Sequence, residues 1–135
     1  METGKLLLSI VELGGYPDLT EVYQQCGYEV VKANSMRKAL AILKKQTPAV
    51  IVAEFIYGPT YGSQLSNFES LFAALQSSAG KAQLEHNASP VHLVALMDKD
   101  NRPHFDKLKT RFPAHEVFYF PLNTEELKKH LTRLN

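Results

Sequence analysis

Five short apolar runs recur along the chain, at 5–11, 28–33, 50–55, 91–97 and 116–120, and the segments between them carry helical periodicity. This alternation constrains the fold more than any other feature. Runs such as "KLLLSIV" and "VHLVALM" hold too few polar residues for one face to meet water. They predict strands buried on both faces, as in parallel sheets joined by helical crossovers. In "PDLTEVYQQCG", Leu19, Val22, Tyr23 and Cys26 fall at i, i+3, i+4 and i+7, and Gly27 stands where a helix end favours positive φ. "NSMRKALAILKKQ" places Met36, Ala39, Leu40 and Leu43 on one face, behind Asn34 or Ser35 as the cap. A third helix is read in "SNFESLFAALQSS", a shorter one in "HFDKLKTRF", and a last one in "NTEELKKHLTRL", with Leu127, Leu131 and Leu134 inward. The polar stretch 79–89 either extends the third helix or forms a surface loop. Five strands alternating with five helices predict an α/β chain. The expected form is a three-layer αβα, flavodoxin-like open sheet of five parallel strands in the order 2-1-3-4-5.

The 135 residues fit a single domain spanning 1–135, and starting at Met1 the chain is expected to be encoded at this length. Lysine plus arginine total 15 and aspartate plus glutamate 14, so no long-range field draws in nucleic acid or an anionic membrane. The lone cysteine, Cys26, excludes an intramolecular disulfide and suits a cytoplasmic location; on the apolar stripe of the first helix it reads as core. The apolar run Leu6 to Val11 is too short to span a bilayer and lacks the charged start and cleavage site of a signal peptide. His86, His92, His104, His115 and His130 have no ligand partner at metal spacing on one element, so no metal is expected, and His92 reads as a hydrogen-bonded structural residue. No G-x-S-x-G elbow is present, and an enzyme is not expected.

In an open α/β sheet, chemistry gathers beyond the C-terminal strand ends. Those ends carry Ile10 to Glu12, Glu54 to Ile56, Ala95 to Lys99, and Phe120–Pro121. "PAVIVAEF" poses the sharpest question, because Glu54 closes a run built for burial. Such a carboxylate is either reactive or one that merely reaches water, with Lys99 a candidate counter-charge. The loop "ELGGYPDL" is the other feature: Gly14–Gly15 would let backbone approach an anion, but the hydroxyl residues of a flavin phosphate loop are missing.

"GYEVVKANSMRKALAILKKQTPAVIVAE", "SPVHLVAL" and "VFYFPLNTEEL" together resemble the receiver domains of two-component response regulators, over nearly the whole chain. The resemblance puts Glu54 at the acceptor aspartate, with Gly62 eight residues on where the family commonly has glycine. It also marks four departures. The family's two magnesium-holding acidic residues appear as Ile10 and Val11, with Glu12 one step beyond. Its hydroxyl residue on strand four appears as Ala95, its lysine before the proline as Phe120, and its acceptor has gained a methylene. Each loss bears on phosphoryl transfer, which proceeds by neutralising charge on the transferring oxygens. Hydrocarbon side chains hold no magnesium, and Phe120 supplies no cation. A nucleophile displaced by roughly 1 Å costs about 10²-fold.

The resemblance therefore implies an atypical, stand-alone receiver-like domain, a pseudo-receiver. It would signal through phosphorylation-independent protein–protein interaction, with no cofactor. Glu54 is then expected to be a partly exposed strand-end carboxylate or an imitation of a permanently charged acceptor. Tyr57 and Tyr61, in "IYGPTYGSQL", are a candidate partner surface. The face of the fourth helix, fifth strand and fifth helix is the family's common dimer surface and the candidate for a homodimer here. The alternative is a small-ligand or nucleotide sensor using the emptied acidic pocket, which predicts a cavity bounded by 10–15, 54–62 and 95–99. In the first reading that cavity is plugged, with Phe120 and Tyr57 the candidate plugs. A working phosphoacceptor survives only if strand one or five is aligned differently.

Overall fold

The computed structural model describes residues 5–14, 18–56, 68, 70, 71, 73, 74, 91–109 and 116–134. Strand β1 (Lys5–Ile10) is followed by α1 (Thr20–Gln25), β2 (Tyr28–Ala33), α2 (Met36–Leu43) and β3 (Val50–Glu54). Then come β4 (His92–Met97), a 3-10 turn (Lys99–Asn101), α3 (Arg102–Lys109), β5 (Glu116–Tyr119) and α4 (Thr124–Leu134). All four pairings are parallel, and the sheet order is β2-β1-β3-β4-β5, as the apolar pattern predicts. Four α-helices have bounds among the described residues, against five expected. Where the third was read, Phe68, Ser70, Leu71, Ala73 and Ala74 are helical and the neighbouring positions lie outside the described residues. Tyr57, Tyr61, Gly62 and the stretch 79–89 also lie outside them.

Side chains alternate across the sheet and divide the core in two. Leu8, Ile10, Ile51, Ala53, Leu93, Ala95 and Met97 pack with α2, Phe68, Leu71 and Phe105 on one face. Phe55, Phe68 and Phe105 meet edge to face there, with ring centroids 5.2 to 6.2 Å apart. Leu7, Tyr28, Val50, Val52, Val94 and Leu96 pack with α1 and α4 on the other face. Local signals set the helix ends. Ser35 caps α2 by accepting from the Lys38 N–H at 3.2 Å, and Gly27, one residue past the Cys26 cap of α1, takes φ +94°. Cys26 is core, as its stripe predicts. Leu127 and Leu131 are fully buried and Leu134 partly so. The strands stop a residue short of several apolar runs: Val11, Phe55 and Phe120 lie just beyond β1, β3 and β5. Those residues still extend the ladder. The Val11 N–H donates to the Ala33 carbonyl, the Phe55 N–H to Leu96 and the Phe120 N–H to Met97. The Phe120–Pro121 peptide is cis. No helix among the described residues is long and apolar enough to cross a membrane.

Candidate functional site

Parallel register brings the C-terminal strand ends level. Ile10 lies beside Ala33 and Ala53, Glu54 beside Leu96, and Met97 beside Tyr119. Alternation then decides which residues share a face. Glu54 follows Val50 and Val52 on the α1/α4 side, and Phe120 packs against the same cluster. Ile10 and Ala95 sit on the opposite side, fully buried among Ala33, Ala53 and Met97. Of the positions singled out by the resemblance, Ile10 and Ala95 are thus core on one face, while Glu54 and Phe120 belong to the other.

Glu54 is buried, 3% exposed, which corrects the expectation of a carboxylate that reaches water. The physical reason is the loop after β1. Its backbone turns so that three successive N–H groups point at one place, and the carboxylate fills it. Oε1 accepts from the Glu12 and Leu13 N–H groups at 2.8 Å each, and Oε2 accepts from the Gly14 N–H at 3.0 Å. Successive amides aimed inward in this way form an anion-binding nest. Gly14 closes it with φ +72°, a conformation that side chains disfavour. The anion that Gly14 approaches is therefore the protein's own Glu54. Glu12, which a one-residue slip would have made a metal ligand, enters through its backbone N–H. Lys99, the candidate counter-charge, is exposed in the 3-10 turn, and backbone amides hold the carboxylate.

Ser9 and Tyr23 complete the surroundings on the α1 side; the sequence places Tyr23 on the apolar stripe of the first helix and leaves Ser9 inside the first apolar run. Ser9 is buried, the polar interruption in "KLLLSIV", and its hydroxyl hydrogen-bonds the Tyr23 phenol. Burial pushes that phenol up strongly, and the charges of Asp18 and Glu54 push the same way. Asp18 stands at the mouth. Its carboxylate accepts from the Thr20 hydroxyl at 2.7 Å and the Thr20 N–H at 2.9 Å, and it pairs with Lys32 at 3.1 Å. Those contacts, the Thr20 hydroxyl first, bring its pKa down to about 2. Beside them a cleft of about 310 Å³ opens between β1, α1 and β2, lined by Ser9, Val11, Asp18, Tyr23, Lys32 and Asn34 among others. Of the boundary expected for an emptied acidic pocket, it shares only Val11 among the described residues. A signal for it did exist in the sequence: one serine inside a run of hydrocarbon needs a partner.

No protein-family model matches the sequence, and no curated protein matches it. Solved structures do. The chemotaxis response regulator CheY4 of Vibrio cholerae superposes with a TM-score of 0.67 at 22% identity, covering 98% of this chain and 100% of that one. A response regulator receiver domain protein from Clostridium thermocellum gives 0.64 at 14% identity, over 96% and 93% of the two chains. The inactive regulatory domain of the repressor of iron transport regulator gives 0.64 at 15%, over 97% and 94%. The chain has the receiver fold across nearly its whole length.

Proposed function

We propose that this chain is a single receiver-like domain, spanning 1–135, that signals in the cytoplasm by binding a protein partner and without phosphoryl transfer. One observation carries the reading. Both oxygens of Glu54, the residue at the acceptor position, accept hydrogen bonds from the 12–14 backbone and are shut off from solvent. A nucleophile must present a lone pair to phosphorus in line with the leaving oxygen; three N–H donors occupy three of the carboxylate's roughly four lone-pair positions, and burial shuts the remainder away from an incoming phosphoryl group. Phe120 stands where a lysine would meet the developing charge, and Ile10 and Val11 where magnesium ligands would stand. The loop is held in one arrangement by Glu54 itself, so the fold offers a constant surface in place of a switched one.

The test is an amide NMR titration with magnesium and then beryllofluoride, which mimics an acyl phosphate, on wild type and Glu54→Gln. The expected result is no saturable shift at residues 10–14, 54 and 95–99. Saturable shifts abolished by Glu54→Gln would overturn the reading and make the chain a working receiver. A second reading, small-ligand sensing, is favoured by the cleft at Ser9 and Tyr23, whose volume lies at the lower end of the range for ligand sites. It predicts ligand-induced shifts at Ser9, Tyr23 and Lys32 that leave the Glu12 to Gly14 amides in place.

A further inference from the structure

His92 opens β4 and His130 lies on α4, 38 residues apart in sequence, yet their Nε2 atoms are 3.1 Å apart. The rings have centroids 5.2 Å apart and are tilted by 49°. Both are partly buried, and Phe118 on β5 packs edge-on against His130 at 5.9 Å. As a hydrogen bond, the contact needs one ring to donate and the other to accept. The same separation is the one two imidazoles adopt around a single tetrahedral ion. With metal–nitrogen bonds of about 2.05 Å, nitrogens held at an angle of about 100° lie about 3.1 Å apart, and the ion sits about 1.3 Å off the line joining them.

We infer that His92 and His130 form a two-histidine site for a divalent transition ion, Zn²⁺ or Cu²⁺, clipping the last helix to the sheet. Imidazole nitrogen suits both ions, and the usual affinity order places Cu²⁺ tighter. Among the described residues no third histidine, cysteine, aspartate or glutamate joins the pair. The site lies at the N-terminal edge of the sheet. Leu96, the neighbour of Glu54, lies four strand steps from His92, a distance of about 13 Å. The inference therefore stands apart from the reading of Glu54.

The test is titration of the metal-free full-length chain with ZnCl₂ or CuSO₄ at about pH 7.5, where imidazole is mostly neutral. Calorimetry reads stoichiometry with either ion, and side-chain NMR with Zn²⁺ follows the histidine rings. Saturable one-to-one binding that moves the His92 and His130 ring signals is expected. Binding should persist in His104→Ala and weaken at least about tenfold in His92→Asn or His130→Gln, since losing even an outer partner of a ligand typically costs 10- to 100-fold. It should also fade towards about pH 5.5, as protons compete for the rings. Unmoved His92 and His130 rings at saturation, or affinity unchanged in both variants, would overturn the site. The wild-type ring signals decide the question even where a variant does not fold.

Discussion

Replacing Glu54 by glutamine tests whether the carboxylate is a structural acceptor or a poised reactive group. Three N–H groups converge on it at 2.8, 2.8 and 3.0 Å. A carboxamide has one oxygen, which can keep the Glu12 and Leu13 bonds while its NH₂ faces the Gly14 N–H, donor against donor. The two kept bonds fall from charged to neutral strength, about 1 kcal/mol each, and the third, about 1.5–3 kcal/mol, is lost. Relief from burying a charge returns part of this, leaving a net loss of about 2–3 kcal/mol. Urea unfolding followed by circular dichroism should show the midpoint falling by about 1–2 M at unchanged slope. The amide signals of Glu12, Leu13 and Gly14 should move most. In an acidic acceptor pocket, neutralising one carboxylate relieves like-charge repulsion and raises stability. An unmoved or higher midpoint for Glu54→Gln would therefore refute the structural role.

Gly14→Ala should cost about 1–2 kcal/mol through its positive φ, because among the described residues the added Cβ meets only Val11 Cγ1 at an ordinary 3.8 Å; the same urea curves measure it. Tyr28 donates its hydroxyl to the Leu131 carbonyl at 2.9 Å, and burial raises its pKa to about 12. Its stabilisation is complete below the ordinary value near 10 and is lost as pH rises through about 12, so alkaline unfolding of wild type should be shifted in Tyr28→Phe, which loses about 1 kcal/mol at pH 7. Phe105→Ala removes one ring of the aromatic trio and should cost about 3–5 kcal/mol by thermal or urea unfolding. Asp18, held down to about pKa 2 by Thr20 and Lys32, keeps its contribution above its ordinary value near 3.8 and loses it as pH falls through about 2. Carboxyl NMR should place its midpoint there, and Asp18→Asn should differ from wild type only above that window.

The sheet was legible because burial on both faces leaves an unbroken apolar signature, and parallel strands with helical crossovers have few ways to connect. Helix ends were legible where one residue carries the chemistry, as at Ser35 and Gly27. The site was harder to read. Sequence marked Glu54 as out of place and Gly14 as a position where backbone approaches an anion, but it did not join them. The two lie 40 residues apart, and only the β1–β3 pairing brings them together. His92 and His130 posed the same difficulty. A search for ligands on one element misses a pair formed between a strand and a helix. Asp18 and Lys32 escaped because an exposed ion pair has no sequence periodicity to announce it.

The residues at the strand ends are physically consistent with one another. Hydrocarbon at Ile10 adds to the core, and Val11 holds the ladder to β2 through its N–H. A loop that ends in a nest of amides still needs an anion to satisfy it. In a receiver with its charges in place, that region would face a metal and a phosphoryl group. Here Glu54 supplies the charge from within. Phe120 packs on the same side of the sheet as Glu54. A carboxylate already neutralised by three N–H dipoles offers a lysine little that it lacks, and an aromatic ring there adds to the α1/α4 core instead. Glu54 and Gly14 thus make one self-contained unit, in which a buried carboxylate and a positive-φ glycine hold the loop in place.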